Sequence, residues 1–234
     1  MNYTIISEKG KVREKNEDDY LIKNKNEFKI FVVADGMGGH EAGDVASALA
    51  IETINNYEFK AECLDRDIKK AIRLANKKIY KQSKADNKKM GTTITLAIIK
   101  DNLVKIGHIG DSRAYIYNGK QLEQITKDHS YVRELVKKDL ISEAEAKDHP
   151  QKNVLLKALG TESEPEIDLI ETKFKQGDLI LLCSDGLTNM VAEKEIQNVL
   201  ASNLDVEEKA KKLVETANEN GGHDNITVLI YKNN

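Results

Sequence analysis

Cysteine occurs only twice in the 234 residues, at Cys63 and Cys183, and proline only twice. Two thiols cannot build a disulfide framework, and these lack the spacing of a metal-binding pair. A reducing cytoplasm is therefore the expected home. Scarce proline and the lack of a low-complexity tract leave no linker, so residues 1–234 are expected to form one domain. No apolar run approaches the roughly 20 residues that span a bilayer. The opening MNYTIISEKG has no basic segment followed by a long apolar one. Neither a secretion signal nor a membrane partner is expected. The formal net charge is −3, which argues against a general nucleic-acid surface, since phosphate neutralisation needs clustered Lys and Arg. The 40% apolar content is enough for a core despite 32% charged residues, so global disorder is excluded.

What is present is organised around residues 28–40, FKIFVVADGMGGH. The run is short, β-branched and aromatic, and reads as a buried strand. Asp35 is expected at its end, where the chain turns. The glycines that follow permit positive φ and let backbone carbonyls approach a ligand closely. A carboxylate beside bare carbonyls suits hard cations such as Mg²⁺ or Mn²⁺. On its own, the stretch is equally an ordinary strand-to-helix turn.

Strands are expected at residues 3–7, 20–23 and 28–34, with a polar loop at 9–19. From residue 41 the period changes. Ala42, Val45, Ala46, Leu49 and Ala50 share one helix face, and Leu64, Ile68, Ala71, Ile72, Ala75 and Ile79 share another. Strands at 91–99 and 103–109 meet at Asp101-Asn102; strands at 113–117 and 121–125 meet at the tight hairpin signal Asn118-Gly119. Residues 128–166 lose the pattern and read as a surface excursion with short helices at 131–138 and after Ser142, where Glu145 completes a capping box. Strands at 167–174 and 178–183, helices at 193–201 and 206–220, and a strand at 225–231 close the chain. Asp205 with Glu208 caps the last helix, Gly221 ends it, and Val206, Ala210, Leu213, Val214 and Ala217 form its buried face. The economical solution is an α+β, four-layer αββα sandwich. Two mainly antiparallel sheets pack together with a helix pair on each outer face.

Asp35 is not alone. Asp111 in HIGDS, Asp185 in LLCSDG and Asp224 in HDN also sit beside Gly, Ser or Asn at strand ends. If those ends share a rim, the carboxylates converge and repel, a conflict that metal ions resolve. The lack of Cys or paired His ligands disfavours zinc and favours Mg²⁺ or Mn²⁺.

The motifs VREKNEDDY, VVADGMGGHEAG, GTT at Gly91-Thr92-Thr93, GHIGDSRAY, KDHS, LLCSDGL and GGHDN, in this order, resemble those of the metal-dependent protein serine/threonine phosphatases (PPM, type 2C) in their compact bacterial form. The resemblance runs from Gly10 to the final strand. It implies the same sandwich, with residues 130–166 as the family's flap, and hydrolysis of phosphoserine and phosphothreonine in proteins by a hydroxide bridging two Mn²⁺ or Mg²⁺ ions. By position, Asp35 resembles the bridging carboxylate, Gly36 the carbonyl ligand of one ion, and Asp185 and Asp224 ligands of the other. Asp111 resembles the ligand of a third, weaker ion, shared with Asp185. Glu17 and Asp18 match residues that hold metal-bound waters, and Arg13 the residue that grips the substrate phosphate. Met37 stands where animal members carry a proposed general-acid histidine, which leaves His40 and His129 as secondary candidates behind a metal-bound water. Phosphoprotein substrates, a cognate serine/threonine kinase and a monomer are expected. Cys183, in an apolar strand, reads as a buried structural thiol. The alternative is a non-catalytic phosphoprotein-binding regulator on the same fold. GMGGHEAG lacks the Gly-Lys-Ser/Thr ending of a phosphate loop, which disfavours a nucleotide-binding protein.

Overall fold

The computed structural model describes residues 2–25, 27–38 and 42–233. One sheet contains β1 (Tyr3–Glu8), β11 (Ile226–Lys232), β10 (Leu179–Cys183), β7 (Arg113–Tyr117) and β8 (Leu122–Gln124), in that order. The other contains β2 (Asp18–Asn24), β3 (Lys29–Met37), β5 (Ile94–Lys100), β6 (Leu103–Ile109) and β9 (Asp168–Lys173), with the short β4 (Gly91–Thr92) paired to the end of β3. All pairings are antiparallel. Helices α1 (Gly43–Asn55) and α2 (Leu64–Ala85) cover the second sheet, and α6 (Glu193–Ala201) and α7 (Val206–Glu219) cover the first. The expected four-layer sandwich is observed.

Side-chain alternation builds the layers. On β3, Ile30, Val32 and Ala34 pack under α1 and α2, while Phe31 and Val33 face the other sheet. On β10, Leu179, Leu181 and Cys183 pack under the first sheet's helices, while Ile180 and Leu182 face inward. Every residue of β10 is buried, as a strand covered on both faces requires. Each large aliphatic side chain so buried contributes about 1.5–3 kcal/mol relative to exposure.

The chain departs locally from its expected elements. Asp35 does not end its strand: β3 continues to Met37 because Gly36 and Met37 pair with Thr92 and Gly91 of β4. Val45 is 40% exposed, since α1 turns Ala46, Ala50 and Ile54 toward the sheet instead. The Asn118-Gly119 hairpin is wider than a two-residue turn. Tyr117 pairs with Leu122, and the Asn118 side chain accepts the Lys120 and Gln121 amides. A short helix α5 (Asp185–Thr188) follows β10 where none was expected. The capping boxes at Ser142/Glu145 and Asp205/Glu208 both form, and they open α4 (Glu143–Lys147) and α7. In the excursion, α3 (Tyr131–Lys137) precedes α4.

Candidate metal centre

The inward-facing parity of the strands decides which polar residues meet at one rim. Asp35 continues the inward face of Phe31 and Val33, and Asp18 is its cross-strand partner on β2. Opposite them, Ser184 extends the inward face of β10, and Thr227 lies on that of β11. The two sheets are stitched there. Asp18 Oδ2 accepts hydrogen bonds from Ser184 Oγ and Thr227 Oγ1, both at 2.7 Å. Asp18 Oδ1 is buried with no partner among the described residues.

The loop 9–17 is fixed from the far end of the chain. The Asn225 side chain donates to the Lys9 and Lys15 carbonyls and accepts the Glu17 amide at 2.8 Å. The Gly36 amide donates to the Glu17 carbonyl. A Cβ on Gly36 would run into the Gly43 and Glu17 carbonyl oxygens, so close backbone approach alone demands glycine there.

The Gly-Thr-Thr stretch clamps Asp35. Thr93 N–H and Thr92 Oγ1 each donate to the Asp35 carbonyl at 2.9 Å, and Asp35 N–H donates to Thr93 Oγ1 at 2.9 Å. Thr93 Oγ1 also meets Ser112 Oγ at 2.7 Å. Asp111 sits where the chain crosses from β6 in one sheet to β7 in the other. Gly110 makes that crossing with φ +110°, a region that favours glycine. His129 pins it on both sides: its amide donates to the Gly110 carbonyl at 2.7 Å, and its Nδ1 accepts the Gly110 amide at 3.2 Å. Its Nε2 lies 3.2 Å from Asp168. Both ring nitrogens are thus committed, and His129 is structural; His40 lies outside the described residues.

Arg13, Glu17, Asp35, Asp111, Asp185 and Asp224 line one cleft of about 290 Å³, together with the Gly36 backbone and Met37. Asn153 and Leu155 of the excursion form part of its wall, a contribution that the weak local pattern gave no means of finding. Asp18 lies behind this lining. Arg13 Nη2 donates to Asp224 Oδ2 at 2.8 Å, and Asn189 Nδ2 to Asp185 Oδ2 at 3.0 Å. Among the described residues, no group of three or more acids, histidines or cysteines is closed to coordinating geometry. The acids ring an open cleft.

Burial first, and then repulsion among neighbouring acids, disfavours their charged forms. Burial, then the charges of Asp185 and Asp224 against help from Thr227 and Ser184, pushes Asp18 up to about 7. Burial followed by Asp224 pushes Asp185 up to about 6, despite support from Asp35 and Asn189. Asp35 and Asp111 are raised well above the usual carboxylate range, first by burial and then by neighbouring aspartates. Glu17 is raised by burial and by Asp44. An all-oxygen donor set, an orphaned buried carboxylate oxygen and excess negative charge fit hard divalent cations. Among the described residues, no helix is long and apolar enough to cross a membrane.

Sequence and structure comparisons agree with this geometry. The family profile described as Protein phosphatase 2C matches residues 9–227. The serine/threonine phosphatase stp of Listeria welshimeri is 43% identical over all of this chain and 96% of its own length. The serine/threonine phosphatase PstP/Ppp of Mycobacterium tuberculosis superposes with TM-score 0.90 at 36% identity, covering 99% of this chain and 97% of that one. The catalytic domain of PstP in complex with two manganese ions superposes with TM-score 0.86 at 36% identity, covering 98% and 96%. The chain belongs to the protein phosphatase 2C family.

Proposed function

We propose that this protein hydrolyses phosphoserine and phosphothreonine in proteins with two divalent ions, Mn²⁺ or Mg²⁺, in the acid-lined cleft. The observation that carries the reading is the convergence of Asp35, Asp111, Asp185 and Asp224 with Arg13 around one opening. The kinship with serine/threonine phosphatases and the manganese-bound relative support it. Asp35, the Gly36 carbonyl, Asp185 and Asp224 would hold the two ions, and Asp111 a weaker third. Glu17 and Asp18 would act through intervening waters. When bound, the ions supply Lewis acidity and a water that ionises near neutral pH.

The chain's own residues do the rest. The Arg13 guanidinium is half-exposed at the cleft, and its planar fork suits two phosphate oxygens. Asp224, its partner here, is the group it releases when the phosphate arrives. Asp18, tied to Ser184 and Thr227, keeps the two sheets in register beneath Asp35. Cys183 takes no part as a nucleophile, since full burial pushes its thiol up to about 12. The reading extends to a monomeric protein in the cytoplasm, which its free cysteines support, reversing the work of a cognate serine/threonine kinase.

The test is phosphate release from a phosphothreonine peptide. Release that requires Mn²⁺ or Mg²⁺, stops on chelation and returns on re-addition is the expected result. Metal-loaded protein that hydrolyses neither such peptides nor an aryl phosphate would refute the reading.

A further inference from the structure

Helix α2 carries a second, separate charge pattern. Its buried stripe runs through Ile68, Ile72, Ala75 and Ile79. On the opposite side Arg66, Lys70, Arg73, Lys77, Lys81 and Lys84 recur at intervals of three and four, which places them on one outward ridge. All six are exposed. Of these six, only Arg66 is met by an acid of the helix itself, Asp67 at 3.2 Å. Asp67 is buried against the Lys60 amide and Arg66, and Asp65 is drawn to Lys105 of β6. Among the described residues, Lys70, Arg73, Lys77, Lys81 and Lys84 form no ion pair. The 22-residue helix is roughly 33 Å long. A continuous positive row thus lies on a chain of net charge −3.

Charge rows are usually solvated faces, but like charges at these spacings disfavour the helix they sit on. Position gives this row a use. Past the helix, Lys88 and Lys89 lead directly to the acid cleft: the Lys89 carbonyl oxygen lies 3.1 Å from where a Cβ on Gly38 would stand, and Gly38 lines the cleft. The helix is also fastened to the excursion that walls the cleft. Asn76 accepts the Gly160 amide at 2.7 Å and donates to the Glu162 and Ser163 carbonyls. The chain therefore runs from Lys84, the last residue of the ridge, to the cleft's lip within five residues.

We propose that the outer ridge of α2 is a docking track for an acidic segment of the phosphoprotein substrate, which delivers the phosphorylated residue to the cleft. This inference rests on the phosphatase reading above. It adds, outside the cleft that holds the ions, an attraction for acidic residues flanking the phosphate as the substrate approaches from solution. Other polyanions fit less well. Tyr80 is covered by the Lys84 ammonium, 5.3 Å from its ring centre, so the ridge offers no open aromatic face on which bases could stack. Leu74 is the single exposed large apolar side chain on α2 among the described residues, too little to anchor in a bilayer.

The test uses the full chain with Mn²⁺, one phosphothreonine peptide flanked by Asp and Glu, and one flanked by Ser and Gly. The wild type is expected to prefer the acidic peptide, through KM. Combining Lys70→Glu, Lys77→Glu, Lys81→Glu and Lys84→Glu is expected to lower kcat/KM for that peptide by about tenfold or more. Turnover of the neutral peptide and of p-nitrophenyl phosphate should stay unchanged. Raising salt from about 0.05 M to about 0.5 M should erase the preference. The four corresponding Lys→Gln changes, which keep helix propensity, should fall between. Fluorescence anisotropy of an unphosphorylated acidic peptide reads the ridge without turnover, and binding should vanish in the Glu variant. A wild type without preference, or a Glu variant that keeps it, overturns the proposal. So does binding of phosphatidylserine vesicles or single-stranded nucleic acid by the ridge with the peptide preference unaffected by the variant. Absent turnover of the aryl phosphate by wild type, with anisotropy still responding, would indict the phosphatase reading instead.

Discussion

Two buried acidic places are handled in opposite ways. Asp128, 5% exposed, is met by Arg113 through three hydrogen bonds of 2.7–3.1 Å, and Gln124 adds a fourth at 2.9 Å. Arg113 in turn reaches Tyr115 at 3.0 Å. That acid has its counter-charge built in. Among the described residues, Asp18, Asp35, Asp111 and Asp185 have no such partner, and Arg13, the one basic side chain lining the cleft, is half-exposed and bound to Asp224. A fold able to place an arginine under Asp128 has left the cleft acids uncompensated. The first arrangement serves stability, holding the crossing that carries Asp111. The second keeps a charge deficit for something that comes from solution.

Removing one member from each place separates the two roles. Asp185→Ala should abolish nearly all turnover, roughly 10³-fold if the ions contribute several kcal/mol to the transition state. The same variant without metal should melt no lower than wild type, because it removes a carboxylate penalised by burial and then by Asp224. A metal-free variant that melts much lower, or one that keeps full activity, would make Asp185 an ordinary structural acid. Asp128→Ala should do the reverse. It strands the Arg113 guanidinium in a poorly hydrated place and should cost about 3–5 kcal/mol in urea unfolding. A loss below about 1 kcal/mol would put this pair in the class of weak surface ion pairs and blur the contrast.

Acidity sharpens the comparison. Asp18 at about 7 and Asp185 at about 6 bind protons more tightly in the folded chain than in the unfolded one, where carboxyls titrate near 3.8. Between about pH 4 and pH 7 the native state therefore holds more protons. Stability from these groups falls as pH rises through that window in metal-free protein. Cations bind the ionised forms, so Mn²⁺ should raise Tm by more at pH 7.5 than at pH 5.5, readable by scanning calorimetry. An equal gain at both values would mean that the ions bind elsewhere. His108 opposes this trend: burial holds it near 4, so its contribution is lost as pH falls below about 6.5.

Strand alternation and helix periodicity made the sandwich legible, because both sheets are buried on two faces and α2 and α7 have clean apolar stripes. The cleft acids were legible through their motifs. What holds them was not. Ser184 and Thr227 meet Asp18 from more than 160 residues away, and nothing local marks a serine or threonine as such a partner. The Arg113–Asp128 pair bridges two motifs whose residues look like separate loop polar groups in one dimension. Asp35 reads as a strand end because the glycines after it signal a turn, whereas the pairing of Gly36 and Met37 with Thr92 and Gly91 that carries β3 past it is a long-range contact. Leu155 and Asn153 fall in the excursion, where no period exists to assign a facing.

The Thr93 clamp is a neutral part of the cleft's own wall and gives the gentlest test. Its Oγ1 accepts the Asp35 amide and meets Ser112, so one hydroxyl links Asp35 of one sheet to the residue after Asp111. Thr93→Val keeps the shape and removes the oxygen. A buried amide then loses its acceptor, at a cost of about 1–3 kcal/mol. Asp35 keeps its ring position through the Thr92 hydroxyl and the residue-93 amide, which still donate to its carbonyl. Turnover should therefore fall by about 10- to 100-fold, as when supporting partners of a metal site are removed, rather than vanish. Restoring the oxygen with Thr93→Ser should recover most of the rate, although serine lacks the methyl that packs against Gly110. If valine matched wild type in both kcat and the Mn²⁺ concentration for half-maximal rate, Asp35 would be fixed by its strand alone.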